Sequence, residues 1–199
     1  TFERVNFDLI YARPEQTLQE WETELKEALT IARAGHLSLY QLTIETGTAF
    51  ETMYKRREFT LPDHELAAEL YEITAEITQA HSLHQYEVSN YAREGEESRH
   101  NLTYWHYEDY AGIGPGAHGR LTINDKKIAT RTHRAPKIWL DKVMKDGHGL
   151  HPIEEIPPYE RAVESLLMGL RTYEGVTFEK LEKNSGPSFS DGQVHAWYY

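Results

Sequence analysis

Val5-Asn6-Phe7-Asp8-Leu9-Ile10-Tyr11-Ala12-Arg13-Pro14, a helical stretch entered at Thr17, and then His36-Leu37-Ser38-Leu39-Tyr40-Gln41-Leu42-Thr43-Ile44 decide the fold. Val5, Phe7 and Leu9 alternate with Asn6, Asp8 and Ile10 until Pro14 stops the pattern, which predicts a strand with polar groups on one face. A carboxylate such as Asp8 on an otherwise buried strand needs a partner. Thr17 and Glu20 make a T-x-x-E capping box, after which Leu18, Trp21, Leu25, Ala28, Leu29 and Ala32 recur at helical spacing until Gly35. His36 to Ile44 reads as a second strand. Two strands joined by one helix of this length make a βαβ unit, hence parallel strands and a right-handed crossover.

Further along, a loop around Glu45-Thr46-Gly47-Thr48 leads to Pro62 and Asp63, which open a helix lined by Leu66, Leu70, Ile73 and Ile77. Gln85 to Tyr91 follows as a third strand, and its alternation with helices strengthens the parallel-sheet expectation. The rhythm then breaks: Glu94 to Gly119 carries aromatics, histidines and glycines with no clear period. Leu121 to Thr132, with Asn124-Asp125 at its middle, predicts a hairpin, and Pro136 to Gly147 a helix with Ile138, Trp139 and Val143 inward. His148 to Pro158 reads as a linker. Pro158 to Thr172 is expected as a helix with Ala162, Leu166, Leu167 and Leu170 on one face, and Thr177 as the cap of a short helix ending before Gly186. Ser188 to Tyr199 has no usable pattern. The expected division is therefore residues 1–147 and 148–199, with an α/β first part and a small helical second part.

Composition narrows the function. The 199 residues carry 21 Lys plus Arg against 32 Asp plus Glu, a formal net charge of -11, and no cysteine. No excess of basic groups is left to neutralise phosphates, so neither nucleic acid nor an anionic membrane surface is the expected partner. Without cysteine this chain offers no disulfide, no thiolate nucleophile, no Cys-ligated zinc and no ligand for an iron-sulfur cluster. No apolar run approaches the ~20 residues of a membrane span, and no signal-peptide pattern opens the chain, so the expectation is a cytoplasmic, non-integral protein. Thr1-Phe2-Glu3-Arg4 lacks an initiator Met and runs at once into a strand, which reads as a fragment of a longer chain.

Three motifs bear on chemistry. Gly114-Pro115-Gly116-Ala117-His118-Gly119 satisfies G-x-G-x-x-G, but Arg120 to Asn124 is strand-like where a dinucleotide fingerprint needs a helix, so a glycine-lined ligand loop or an ordinary turn is expected. His81-x-x-His84 and His148-x-x-His151 have metal-compatible spacing without an accompanying carboxylate motif, and solvated surface histidines are the expected reading. Arg99-His100-Asn101-Leu102-Thr103-Tyr104-Trp105 differs in kind. It sets an imidazole beside an amide, with two large aromatics three and four positions beyond Asn101, the parts a flat macrocycle with a central iron would use. A satisfied histidine in an aromatic core is the alternative.

The ordered set Phe7 to Pro14, His36 to Glu45, Tyr86-Glu87-Val88-Ser89-Asn90-Tyr91-Ala92, His100 to Trp105 and Gly112 to Gly119 resembles the radical S-adenosylmethionine heme chaperone family HemW, close kin of oxygen-independent coproporphyrinogen III oxidase. The resemblance runs from about Val5 to Gly186. It implies the C-terminal part of a partial (β/α)6 TIM-like barrel followed by the start of a small helical domain. It implies heme bound through His100 as axial iron ligand, with Asn101, Tyr104 and Trp105 in the pocket, and transfer of that heme to acceptor hemoproteins of the respiratory chain. It further implies a contact of Asp8 with S-adenosylmethionine, and a 4Fe-4S cluster in the full-length parent. A homodimer is left open. The family's C-x-x-x-C-x-x-C cluster motif is absent here, and no catalytic residue is assigned. Radical oxidative decarboxylation of coproporphyrinogen III is the alternative function, with the chaperone reading preferred by the His-Asn-x-x-Tyr-Trp segment.

Overall fold

The computed structural model describes residues 4–32 and 35–185, and the chain divides into two compact units, residues 1–98 and 99–199. In the first unit, β1 (Asn6–Tyr11), α1 (Leu18–Ala32) and β2 (His36–Gln41) form the expected βαβ unit. The two strands run parallel, in register from Asn6 opposite His36 to Tyr11 opposite Gln41. The capping box closes as the sequence requires: the Thr17 N–H donates to Glu20 Oε2 (2.9 Å) and the Glu20 N–H to Thr17 Oγ1 (3.3 Å). Beyond β2 come α2 (Ala49–Lys55), α3 (His64–Ala80), β3 (His84–Glu87) and β4 (Asn90–Ala92). Asp63 caps α3, accepting from the Leu66 N–H at 2.9 Å.

The third strand departs from expectation. Gln85 to Tyr91 is not one parallel strand: the chain reverses at Val88-Ser89, β4 runs antiparallel to both β2 and β3, and the sheet order is β1-β2-β4-β3. The buried Glu87 carboxylate supplies the reason. It accepts from the Ser89 N–H (2.9 Å) and from the Asn90 side-chain amide, satisfying turn donors that a continuous strand would have sent to a neighbour.

Strand alternation sorts this sheet into two faces. Tyr11, Leu37 and Leu39 join Trp21, Leu25, Leu70, Ile77, Leu83 and Tyr91 in the core. Trp21 is fully buried, stacks on Tyr11 with ring centroids 5.1 Å apart, and donates its indole N–H to Thr74 Oγ1 at 2.7 Å. Asn6, Asp8, His36 and Ser38, the alternate positions, make the other face polar.

The second unit comprises α4 (Arg99–Trp105), β5 (His118–Ile123), β6 (Lys126–Arg131), α5 (Pro136–Asp146), β7 (Glu154–Glu155), α6 (Pro158–Gly169) and α7 (Phe178–Ser185). β5 and β6 form the expected hairpin, with Asn124 and Asp125 at φ 50° and 62° in the left-handed region that a two-residue turn demands. β7 adds to β6 in antiparallel fashion, so the segment read as a linker holds a short strand, and the expected 147/148 division falls inside this unit. Two helix faces follow expectation only in part. Ile138 is exposed and Trp139 and Val143 are half-buried, while Leu167 and Leu170 are exposed and α6 buries Ala162, Ser165 and Gly169. Gly169 lies so near Val176 that an added Cβ would sit 2.7 Å from Val176 Cβ; close approach, not side-chain bulk, selects that face. Thr177 caps α7, accepting from the Lys180 N–H at 3.2 Å. The expectation for Ser188 to Tyr199 lies outside the described residues. Among the described residues no helix is long and apolar enough to cross a membrane.

Trp21→Phe keeps most of the apolar burial and leaves the Thr74 hydroxyl without its indole donor. The expected cost is about 1–3 kcal/mol in urea unfolding, and adding Thr74→Val to Trp21→Phe should cost less than the sum of the single changes. Additive losses would assign the effect to packing alone.

Candidate functional site

α4 presents its side chains in two pairs at i,i+4 spacing: His100 with Tyr104, and Asn101 with Trp105. His100 is exposed, which removes its reading as a core histidine. Its Nε2 lies 3.2 Å from the Tyr104 hydroxyl and its ring meets Tyr104 edge-on at 4.8 Å, while Tyr104 in turn lies 4.3 Å from Tyr110. An imidazole thus stands at the solvent end of a row of aromatic rings. Asn101 and Trp105 are half-buried; the Arg171 guanidinium covers the Trp105 ring at 4.4 Å, and the indole Nε1 is buried with no hydrogen-bond partner among the described residues. Of the four residues expected at the macrocycle, His100 and Tyr104 are joined directly, whereas Trp105 is engaged by Arg171.

The frame that holds α4 was not foreseen from sequence. Just past the helix, Tyr107 is buried at φ 53° and donates its hydroxyl to Glu164 Oε2 at 2.6 Å. Arg120 of β5 grips the same carboxylate in bidentate fashion, Nε to Oε2 at 3.0 Å and Nη2 to Oε1 at 2.9 Å. Lys127, also buried, donates to the Tyr107 carbonyl (3.1 Å) and Asp109 Oδ1 (2.8 Å) and lies over the Tyr107 ring at 4.6 Å. His106 pairs with Glu174. Burial alone would push the Glu164 carboxyl up, but the hydrogen bonds from Arg120 and Tyr107 and the Arg120 charge outweigh it and hold Glu164 below the usual carboxylate range. Burial and the same carboxylate drive the Tyr107 hydroxyl well above its ordinary value.

The glycine loop is a structural turn. Gly114 and Gly116 take φ 101° and 74°, and Thr132 closes the loop by donating to the Gly114 carbonyl (2.5 Å) and accepting from the Ala117 N–H (2.9 Å). It feeds β5, not a helix, so the dinucleotide geometry is absent. His81, His84 and His148 are exposed, and His151 stacks on His133 at 3.8 Å. No group of three or more metal-ligating side chains occurs among the described residues.

In the first unit, strand register lines up Asp8, Ser38, Asn90 and Glu87 in one row across the sheet, with Asn6 opposite His36 one step along. Asp8 is exposed and has no ion pair among the described residues; its partner is the Asn6 amide, which donates to Asp8 Oδ1 (2.5 Å) and to Ser38 Oγ (3.0 Å). His36, buried, reaches Asn6 Oδ1 through Nδ1 and the Tyr86 hydroxyl through Nε2, each at 2.7 Å. Burial and the nearby Arg4 lower the His36 pKa against the opposing pull of Asp8, Glu87 and Glu97. Asn6, His36 and Tyr86 went unmarked in the sequence, although Asn6 and His36 share strand parity with Asp8 and Ser38.

No protein-family model matches the chain. It is 36% identical over 191 residues to the heme chaperone HemW of Bacillus subtilis, covering 94% of this chain and 48% of that protein. It is 40% identical over 180 residues to the mitochondrial radical S-adenosyl methionine domain-containing protein 1 of Mus musculus, covering 88% and 40%. The chain therefore spans about half the length of the curated relatives it matches, or less. The solved structure of coproporphyrinogen III oxidase (HemN) from Escherichia coli, described as a radical SAM enzyme, shares its fold, with a TM-score of 0.70 at 16% identity over 97% of this chain and 46% of that one.

Because the folded-state pKa of Glu164 is depressed, its contribution to stability is present above its unfolded value and is lost as pH falls through the folded one. Glu164→Gln should therefore lower stability at neutral pH and flatten the loss of stability on acidification below about pH 4.5. Urea midpoints across that range check it, and parallel pH profiles would mean that the carboxylate is not the linked group.

Proposed function

We propose, on the premise that this chain is homologous to the HemW-type radical S-adenosyl methionine proteins, that it supplies the heme-holding part of a heme chaperone that passes heme to acceptor hemoproteins, those of the respiratory chain in the first place. The observation that carries this reading is the exposed His100 imidazole at the end of the Tyr104–Tyr110 row. A neutral imidazole nitrogen is a good iron ligand, and aromatic rings beside it offer apolar faces to a macrocycle. His100 holds the iron, Tyr104 and Tyr110 flank the ring, and the Tyr104 hydroxyl turns from Nε2 when that nitrogen is the one engaged. Trp105, covered by Arg171, would add a further aromatic surface beside the macrocycle. Heme, when bound, would supply an iron centre that His100 could ligate, and no electron transfer is assigned to these residues.

The polar face of the first unit suits S-adenosylmethionine, whose ribose hydroxyls and ammonium are donors and need acceptors such as Asp8. This chain has no cysteine, so a 4Fe-4S cluster takes no ligand thiolate from it and no step is derived through one. The competing reading is oxidative decarboxylation of coproporphyrinogen III.

Heme titration of the full-length protein, followed in the Soret region, should give a saturable shift that His100→Ala abolishes. Because His100 is exposed, the same substitution should change stability by no more than about 0.5 kcal/mol. Identical spectra for the two proteins would return His100 to a structural role, and anaerobic turnover of coproporphyrinogen would then favour the enzyme.

A further inference from the structure

The hydrogen bonds around Asp8 have a direction that chemistry fixes. Asn6 spends its amide N–H groups on Asp8 Oδ1 and Ser38 Oγ, so its Oδ1 faces His36 and can only accept. His36 Nδ1, 2.7 Å away, must therefore carry the hydrogen. A neutral ring then has a bare Nε2, which accepts from the Tyr86 hydroxyl at 2.7 Å. Burial of His36 favours that neutral form. The chain of donors runs from Tyr86 to His36 to Asn6 to Asp8, and each N–H or O–H points toward the carboxylate. Asp8 Oδ1 is pinned at 2.5 Å by the amide, and the carboxylate is otherwise exposed, so Oδ2 is left for an incoming donor.

We propose that Tyr86, His36 and Asn6 are positioning residues for Asp8, a directional relay that fixes the rotamer of the carboxylate and presents Oδ2 to the hydroxyl or ammonium donors of a nucleoside-type ligand. This rests on the assignment of Asp8 to S-adenosylmethionine made above. The three residues come from β1, β2 and the β3 edge, separated by 30 and 50 positions in sequence; register sets Asn6 opposite His36, and Tyr86 lies at the irregularity of β3 between Gln85 and Glu87. None of them has to touch the ligand. Preorganisation is their contribution: an unbraced aspartate on an open sheet face would sample several rotamers and lose affinity in choosing one. His36 also faces Arg4, Glu87 and Glu97, whose charges act on the ring without entering the chain of hydrogen bonds.

Two measurements on the full-length protein test the relay. The first is the tautomer of His36 from its imidazole 15N shifts: the expected state is Nδ1–H with an accepting Nε2, giving way to a tautomer mixture in Tyr86→Phe, which keeps the ring and loses only the hydroxyl. An Nε2–H tautomer in the wild type would overturn the relay whatever ligand Asp8 serves. The second is S-adenosylmethionine affinity by calorimetry. Tyr86→Phe and Asn6→Ala should each weaken it by roughly 2- to 10-fold, the range of one net hydrogen bond, and their combination should cost less than the product. A melting temperature near wild type for Tyr86→Phe guards against misfolding as the cause. If Asp8→Asn weakens binding but Tyr86→Phe leaves it unchanged, the relay falls and the Asp8 assignment survives. If Asp8→Asn itself binds like wild type, the assignment falls and the ligand role of the relay falls with it, even if the Nδ1–H tautomer is found.

Discussion

The carboxylate of Glu164 is the anchor of the second unit. Three donors from two other segments end on its two oxygens: the Tyr107 hydroxyl, from the chain just after α4, and Nε and Nη2 of Arg120, from β5. A half-buried carboxylate is costly to desolvate, and a single partner would return little. A bidentate guanidinium with a third hydrogen bond meets most of its acceptor sites, which is the condition under which such a pair holds structure together. The backbone repeats the tie, since Tyr110 and Arg120 exchange N–H to carbonyl hydrogen bonds at 2.7 and 2.9 Å. Arg120 therefore grips α6 through its side chain and positions the Tyr110 ring through its main chain. An exposed site with little packing of its own, such as His100 and Tyr104, depends on a frame of this kind.

The first unit solves a different problem. Its sheet buries one face under Trp21, Leu25 and Leu70, and on the other aligns polar side chains that have to satisfy one another. They do so along β1, where Asn6 meets Asp8, and across strands, where Asn6 meets His36, His36 meets Tyr86 and Glu87 meets Asn90. Satisfied internally yet open to solvent at Asp8, this face is both stable and able to accept a ligand with several donors. The likeness to HemN concerns fold alone, so the chemistry of the face has to be argued from these residues.

How much of this was legible in the sequence depended on whether the deciding contact was local. The βαβ opening could be read because the period-2 and period-3.6 patterns of residues 5–44 and the Thr17–Glu20 box are local signals, and Asn124-Asp125 specified its own turn. The reversal at Val88-Ser89 was hidden because Tyr86 to Tyr91 keeps a strand composition and only the burial of Glu87 shows where the carboxylate is used. α2 was missed although Thr48 and Glu51 repeat the capping signature, with the Thr48 hydroxyl accepting from the Glu51 N–H at 3.1 Å; it is only seven residues long, and its Phe50, Met53 and Tyr54 set is too short to establish a helical period. On α6 the period placed Ala162 and Leu166 inward correctly and overreached at Leu167 and Leu170, which are exposed where Gly169 and Val176 set the approach. His100 and Asp8 were marked as site residues by type and setting. Asn6, His36, Tyr86 and Glu164 were not, because their roles arise from partners 30 to 57 positions away.

On the heme-carrier reading, the exposure of His100 has a thermodynamic sense. A protein that stores heme gains by burying the ligand and excluding water, whereas one that hands heme on must bind it and release it. The Tyr104 hydroxyl already occupies Nε2 at 3.2 Å, so iron coordination through that nitrogen first gives up a hydrogen bond worth about 0.5–1.5 kcal/mol. That competition, together with solvent access, favours a faster off-rate without weakening the aromatic contacts that orient the ring. The same hydroxyl re-forms its bond as the iron leaves, so the empty site is not left with an unsatisfied imidazole. The Tyr110 ring beside Tyr104 is held in turn by the backbone pair with Arg120, whose side chain ends on Glu164.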